Sequence, residues 1–254
     1  MKYYIILLLS VLLIAGCSKN GSSWSSKEAN KSLRELTLSA ISGNKQANTI
    51  LSGLINTDLP VDKNYNALVI DSFKVNNNKY FYILLDYPNP FYNRFAVYDK
   101  QKNLLLLDKS LNGDLSVDMF NKDGMYFIKL VESFLSKDII SVKRLSIYKV
   151  EAGGVNLAMR TFYSMNRPDA FISQEITGIT KDTITTSISA PGKLTDQTGD
   201  VFIFSPSKGR YLSSSNIVDN LVKQQIRDFN METNLPQITD EKSARRIAEE
   251  LSGK

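Results

Sequence analysis

Hydrophobic positions recur with two different periods along this chain, and the change of period divides it into segments. Between residues 27 and 57, Leu33, Leu36, Ala40 and Ile41 share one face at i, i+3, i+4 spacing, and so do Ala47, Ile50, Leu51, Leu54 and Ile55. Gly43-Asn44 interrupts the run and Pro60 stands just past its end, so residues 27–60 are predicted to form two short helices. Their apolar faces are expected to pack on the protein's own core, covering a sheet or closing a small helical hairpin.

From Ala67 to about Ser214 the period falls to two. Three stretches of this region superimpose. Each is anchored on an apolar tetrad, Phe95 to Tyr98, Leu145 to Tyr148 and Val201 to Phe204, followed by a polar turn and another strand-like run at Leu104 to Leu107, Val155 to Phe162 and Arg210 to Ser213. Upstream of each anchor lie two further runs. First strands are expected at Leu68 to Phe73, Leu115 to Phe120 and Glu175 to Ile179. Second strands are expected at Tyr80 to Leu85, Tyr126 to Val131 and Thr183 to Ser189. Turns rich in Asn, Asp, Lys and Gly separate them, at Asn76-Asn77-Asn78, Asn121-Lys122-Asp123-Gly124 and Lys181-Asp182, and mark hairpins. Residues 61–214 therefore read as a mainly β, antiparallel body of meanders. The reading allows three propeller-blade-like four-stranded units, with a curled β-sandwich or a barrel as alternatives.

Helical spacing returns in residues 215–254. Ile217, Leu221, Val222, Ile226 and Phe229 form one stripe. Asp240 is placed to cap a last helix carrying Ala244, Ile247, Ala248 and Leu251, with Gly253 at its end. Both helices are expected to cover the sheet.

The N-terminus carries a different signal. Lys2 precedes an apolar stretch from Tyr3 to Ile14 broken only by Ser10, and Ala15-Gly16 lead to Cys17, the sole cysteine. About twelve apolar residues fall short of the roughly 20 a spanning helix needs, but they suit the hydrophobic core of a signal peptide. Ile14-Ala15-Gly16-Cys17 resembles the lipobox of bacterial lipoproteins. The resemblance covers the leader alone, and it implies removal of residues 1–16 and lipid attachment at Cys17. It also implies a membrane partner through the lipidated N-terminus, in the cell envelope. Ser18 rather than aspartate after the cysteine favours the outer membrane of a Gram-negative cell; in a Gram-positive cell the anchor would sit on the outer face of the single membrane. Residues 17–26 would then be a flexible tether, since Ser18 to Ser23 bury too little apolar surface to fold.

Charge adds little. The formal net charge of +5 drops by one when Lys2 leaves, and the charges are interleaved. No basic cluster of the kind that binds nucleic acid is present, and Lys143-Arg144 and Arg245-Arg246 read as isolated, solvated pairs.

Missing residue types narrow the chemistry further. The chain has no histidine and its one cysteine is expected to be acylated, so Ser-His-Asp and Cys-His catalysis and His/Cys zinc sites are excluded. No glycine-rich phosphate loop occurs, and no cofactor is expected. Asn121-Lys122-Asp123-Gly124 matches the middle of an EF-hand loop, but Met119 and Leu130 stand where the terminal oxygen ligands belong; it reads as a hairpin turn, and no metal site is assigned. Carboxylate chemistry remains open, since Asp71, Asp86, Asp99, Asp108, Asp114, Asp118 and Glu132 lie on or near strands where two could pair as acid and base, but none is assigned as catalytic. The candidate recognition feature is the loop at 86–94, where Tyr87, Phe91, Tyr92, Asn93 and Arg94 combine aromatic faces with hydrogen-bonding groups suited to a glycan or a protein. The competing reading tucks its aromatics over the sheet edge while the prolines deter edge pairing.

These features favour a non-enzymatic envelope lipoprotein acting as a binding or assembly module for another envelope protein or a glycan. The alternatives are a carboxylate-dependent hydrolase of envelope polysaccharide and a lipid or lipoprotein carrier with an apolar cavity.

Overall fold

A computed structural model describes residues 32–55, 65–88, 92–111, 113–136, 140–192 and 198–233. Cys17, Phe91, the tether and the expected last helix lie outside these residues.

Two helices open the described chain. Helix α1 (Leu33–Ile41) starts at a capping box: the Ser32 hydroxyl accepts from the Glu35 amide at 3.2 Å while the Glu35 carboxylate accepts from the Ser32 amide at 2.8 Å. It ends at Ser42, and Gly43 takes the left-handed conformation that turns the chain into α2 (Lys45–Ile55). Leu33, Leu36, Ala40, Ala47, Leu51 and Ile55 are buried, which is the apolar face read from the spacing.

Twelve strands follow in three meanders of four. The first comprises β1 (Ala67–Val75), β2 (Asn78–Asp86), β3 (Arg94–Tyr98) and β4 (Leu104–Asp108). The second comprises β5 (Asp114–Lys122), β6 (Met125–Ser136), β7 (Ile140–Glu151) and β8 (Gly154–Arg167). The third comprises β9 (Ala170–Ile179), β10 (Thr183–Ser189), β11 (Gly199–Ser205) and β12 (Arg210–Ser213), after which comes α3 (Ile217–Thr233). Every strand pair is antiparallel, and the expected mainly β architecture with terminal helices holds. The turn residues explain the hairpins. Asn76 and Asn77 both have positive φ, 46° and 65°, as do Asp123 and Gly124, 51° and 75°, the geometry a two-residue hairpin turn requires.

The first meander is a separate sheet, whereas the second and third join through β8 and β9 into one eight-stranded sheet; neither sheet closes. The joint is narrow. Only Ser164 to Arg167 of β8 pair with β9, against Ala170 to Ser173, whereas β7 and β8 are paired from Ser141 to Asn166. The large sheet folds along that joint, so the three meanders stack as layers. Phe95, Val97, Tyr82 and Leu84 of the first meet Ile128, Leu130, Tyr148 and Val150 of the second. On its other face the second meander packs Phe127, Leu145, Ile147 and Met159 against Ile179, Ile184, Phe202 and Tyr211 of the third.

Both ends of the stack differ. Helices α1 and α2 cover the outer face of the first meander, over Ile83, Leu85, Ala96 and Tyr98. Helix α3 seals the β8–β9 joint: Val218, Val222 and Ile226 pack on Met165, Ile172 and Ile188, and Asp219 accepts from the Thr161 hydroxyl (2.9 Å) and the Phe162 amide (3.0 Å). The outer face of β11 and β12 keeps Val201, Ile203 and Leu212 exposed.

Two strand glycines mark where the third meander bends. A Cβ at Gly199 would lie 2.5 Å from the Thr186 carbonyl oxygen, and one at Gly178 would lie 2.7 Å from the Thr185 hydroxyl. Both residues approach β10 at the irregularity between Thr185 and Thr186, where only a residue without a side chain permits the close passage.

Candidate functional site

The described residues of the 86–94 segment turn most of their polar groups inward. Asp86 closes β2 and is buried; its carboxylate accepts from the Leu115 amide at 3.1 Å and from the Asn66 side chain at 3.5 Å. Asn93 is fully buried. Its Oδ1 accepts from the Tyr87 amide at 2.7 Å, and its Nδ2 donates to the Gly113 carbonyl at 2.9 Å, so one amide fixes both the loop and the connection from β4 to β5. Arg94 is buried too, with Nη1 donating to the Asn93 carbonyl at 2.7 Å. Tyr87 is buried and meets Tyr92 edge to face at 6.3 Å, beneath α1 and α2. Of the candidate recognition residues described, Tyr92 alone keeps appreciable exposure.

A second polar cluster lies between the first two layers. Asp108 at the end of β4 accepts at Oδ2 from Arg160 and from the Tyr148 hydroxyl, and at Oδ1 from the Ser110 amide (2.8 Å) and hydroxyl (2.7 Å). Arg160 also reaches the Ser146 and Ser110 hydroxyls, at 2.8 and 2.7 Å. Alongside, Arg144 on β7 holds Glu132 on β6 through two parallel bonds, 2.5 and 2.8 Å, and donates to the Ser110 carbonyl at 2.6 Å. Two carboxylates and two guanidiniums thus cancel, and together they clamp the β4–β5 connection onto the central layer.

The titration behaviour follows from this geometry. Burial alone would raise the Asp108 carboxyl, but Arg160, the Tyr148 hydroxyl and Ser110 outweigh it and hold Asp108 below the ordinary carboxylate range. Burial, with the Asp108 charge beside it, pushes the Tyr148 phenol well up, so it stays a donor. Asp86 moves the other way: burial raises it, assisted by Asp114 and opposed by the Leu115 amide and Asn66.

Four bonds occupy the four acceptor directions of the Asp108 carboxylate, leaving no lone pair aimed at a substrate. Of the remaining carboxylates from the sequence set, Glu132 lies in the same cluster but is held by both bonds of Arg144, and the others serve elsewhere. Asp71, Asp114 and Asp118 are exposed, and Asp99 closes its own turn by accepting from the Gln101 and Asn103 amides, each at 2.8 Å. Asn121 likewise serves a turn, accepting from the Gly124 amide at 3.3 Å. Among the described residues no group of three or more His, Cys, Asp or Glu side chains is placed to hold a metal ion, and no helix is long and apolar enough to cross a membrane.

The structure corrects one reading of the sequence. Arg144 is not a solvated partner of Lys143 but a buried ligand of Glu132. Lys143 is exposed, and its strand neighbour Arg144 alternates to the opposite, buried face of β7, directly across from Glu132 on β6. The only signal available was the symmetry of Glu132 and Arg144 about the β6–β7 turn.

Compared with protein-family models, with curated proteins and with solved structures, the chain matches none.

Proposed function

We propose that this chain is a lipid-anchored lipoprotein of the bacterial envelope whose stacked β body is a non-enzymatic binding or assembly module for another envelope protein or a glycan. The lipobox at residues 14–17 supports the anchor. The observation that carries the module reading is that the buried charged groups of the central cluster are spent on one another, as Asp108 with Arg160 and Glu132 with Arg144. Such a network fixes layers and offers no vacant acid or base. The surfaces left for work are the exposed faces of the stack.

The test uses the full chain expressed with its own leader in bacteria. The peptide bearing Cys17 is expected to carry acyl chains by mass, and Cys17→Ser is expected to move the protein out of the membrane fraction. Photoreactive residues placed at Tyr92 and at Asp118 in native envelopes should trap a defined protein or glycan. Turnover of an envelope polysaccharide that disappears in Asp71→Asn, Asp99→Asn or Asp118→Asn variants would overturn the module reading in favour of a hydrolase.

A further inference from the structure

The uncovered face of the third meander has a chemistry of its own. Val201, Ile203 and Leu212 are 38, 53 and 39 % exposed, and Ile203 and Leu212 are direct cross-strand partners. Thr183 and Thr185 of β10 stand opposite Ile203 and Val201 and extend the face with their methyl groups. At the end of these strands two turns are bound together. The Phe204 amide donates to the Asp182 carbonyl at 2.8 Å, and the Tyr211 hydroxyl donates to the Thr180 and Lys181 carbonyls at 3.1 and 3.0 Å. Phe204, 37 % exposed, meets Tyr211 edge to face at 5.3 Å on this rim.

The charges of the rim are mostly positive. Lys181, Lys208 and Arg210 stand against Asp182, and Arg210 shares the outward side of β12 with Leu212. Lys149 and Glu151, whose charges act on Tyr211 from the β7–β8 turn, pair with each other at 2.8 Å and cancel. An aliphatic centre bordered by lysine and arginine on a braced pair of turns fits the boundary of an anionic bilayer, where the apolar groups enter the interface and the cations meet lipid phosphates.

We propose that the β11–β12 face and its rim are a membrane-contact surface that lays the domain on an anionic lipid bilayer. The inference rests on the lipid-anchored reading, which keeps the domain close to that bilayer. Residues 18–31 reach at most about 50 Å when extended, and a folded body of this size is roughly 40 Å across. The chain between the anchor and α1, which includes the expected tether at residues 17–26, is therefore long enough at full extension to bring this face down, and the anchor raises the effective concentration of a contact too weak to hold alone.

The experiment places an environment-sensitive nitrobenzoxadiazole label on Ile203→Cys in the full chain, with Leu38→Cys on α1 as the control. Labelled protein is mixed with vesicles of phosphatidylethanolamine and phosphatidylglycerol, or of phosphatidylcholine alone. The expected result is a blue shift and a severalfold rise in emission at position 203 on the anionic vesicles only, with position 38 unchanged. Lys208→Glu with Arg210→Glu, in protein whose circular dichroism is unaltered, is expected to weaken the response at least about thirtyfold. Raised salt should weaken it as well.

Emission at position 203 that stays that of water while the Cys17 peptide carries acyl chains overturns the contact and leaves the anchor standing. An equal response at position 38 overturns it also. So does a discrete protein adduct from a photoreactive residue at 203 in native envelopes, when bare vesicles give no response. If Cys17 carries no acyl chain, the anchor reading fails. Titration of the labelled chain on a Cys17→Ser background with the same vesicles then decides the contact separately.

Discussion

Glu132 and Arg144 lie directly opposite one another on β6 and β7, with the carboxylate fully buried and the guanidinium gripping both of its oxygens at 2.5 and 2.8 Å. The pair sits where the first and second layers meet, and the third bond of Arg144 reaches across to the Ser110 carbonyl at 2.6 Å. Its side-on geometry is the one in which a buried ion pair recovers most of its desolvation cost. The role that follows is alignment: the pair sets where the β4–β5 connection lies on the central sheet.

Removing one partner should therefore cost far more than removing both. Arg144→Met leaves Glu132 charged and buried, and is expected to destabilise the fold by about 3–5 kcal/mol. Glu132→Leu with Arg144→Met removes both charges and should recover much of that loss, short of the bond to Ser110. Urea denaturation of the two singles and the double measures the coupling; additive losses would show that the pair is not a unit.

Asp108 and Asp86 should leave opposite marks on stability against pH. An unfolded aspartate titrates near pH ~3.9. Asp108 is held lower when folded, so its contribution is complete above that pH and drains away as the pH falls through the lowered value. Asp86 is raised when folded, so its contribution is complete below that pH and is lost as the pH rises through the raised value. Urea midpoints across the acid range are expected to show Asp108→Asn flattening the limb below pH ~4 and Asp86→Asn flattening the decline above it.

Local chemistry was legible in the sequence and long-range geometry was not. Leu33, Leu36, Ala47 and Leu51 announce their helices because one period and one break at Gly43-Asn44 suffice. Asn76-Asn77 and Asp123-Gly124 announce hairpins because few residues accept positive φ in succession. Nothing local says that β8 pairs with β9 through Ser164 to Arg167 alone, and the folding of the large sheet follows from that short ladder. The loop at 86–94 was legible as a cluster of aromatic and polar groups, but its direction was hidden. Asn93 points inward because Gly113, twenty residues on, presents a carbonyl there. The clamp at Asp108, Tyr148 and Arg160 spans three strands of two sheets, and no spacing encodes it.

The two strand glycines offer a test of the bend. At Gly199 an added Cβ meets the Thr186 backbone at 2.5 Å, and the backbone must move; Gly199→Ala is expected to cost about 1–3 kcal/mol. At Gly178 the obstacle at 2.7 Å is the Thr185 hydroxyl, which can rotate away at the loss of its 3.2 Å bond with Thr177. Gly178→Ala should accordingly cost clearly less. Equal midpoints for the two variants in urea would show that the bend does not depend on the close approach at Gly199.

Two buried polar groups work against stability. Gln174 on β9 is 1 % exposed, and among the described residues neither its amide oxygen nor its nitrogen has a hydrogen-bond partner. The Tyr98 hydroxyl beneath α1 and α2 is in the same position, and burial pushes that phenol up, out of reach of ionisation. A buried polar group left unmatched costs about 1–3 kcal/mol, and exchange for an apolar group of similar volume removes the cost without opening a cavity. Gln174→Met and Tyr98→Phe are therefore each expected to raise the urea midpoint at constant slope. The two sites lie on different layers, the third meander and the first, so their gains should add. A midpoint that falls in Gln174→Met would mean that the amide is matched in solution by a group such as an enclosed water. Gln174→Glu would then separate the cases, because a carboxylate at a hydrated position is tolerated far better than one in an apolar interior.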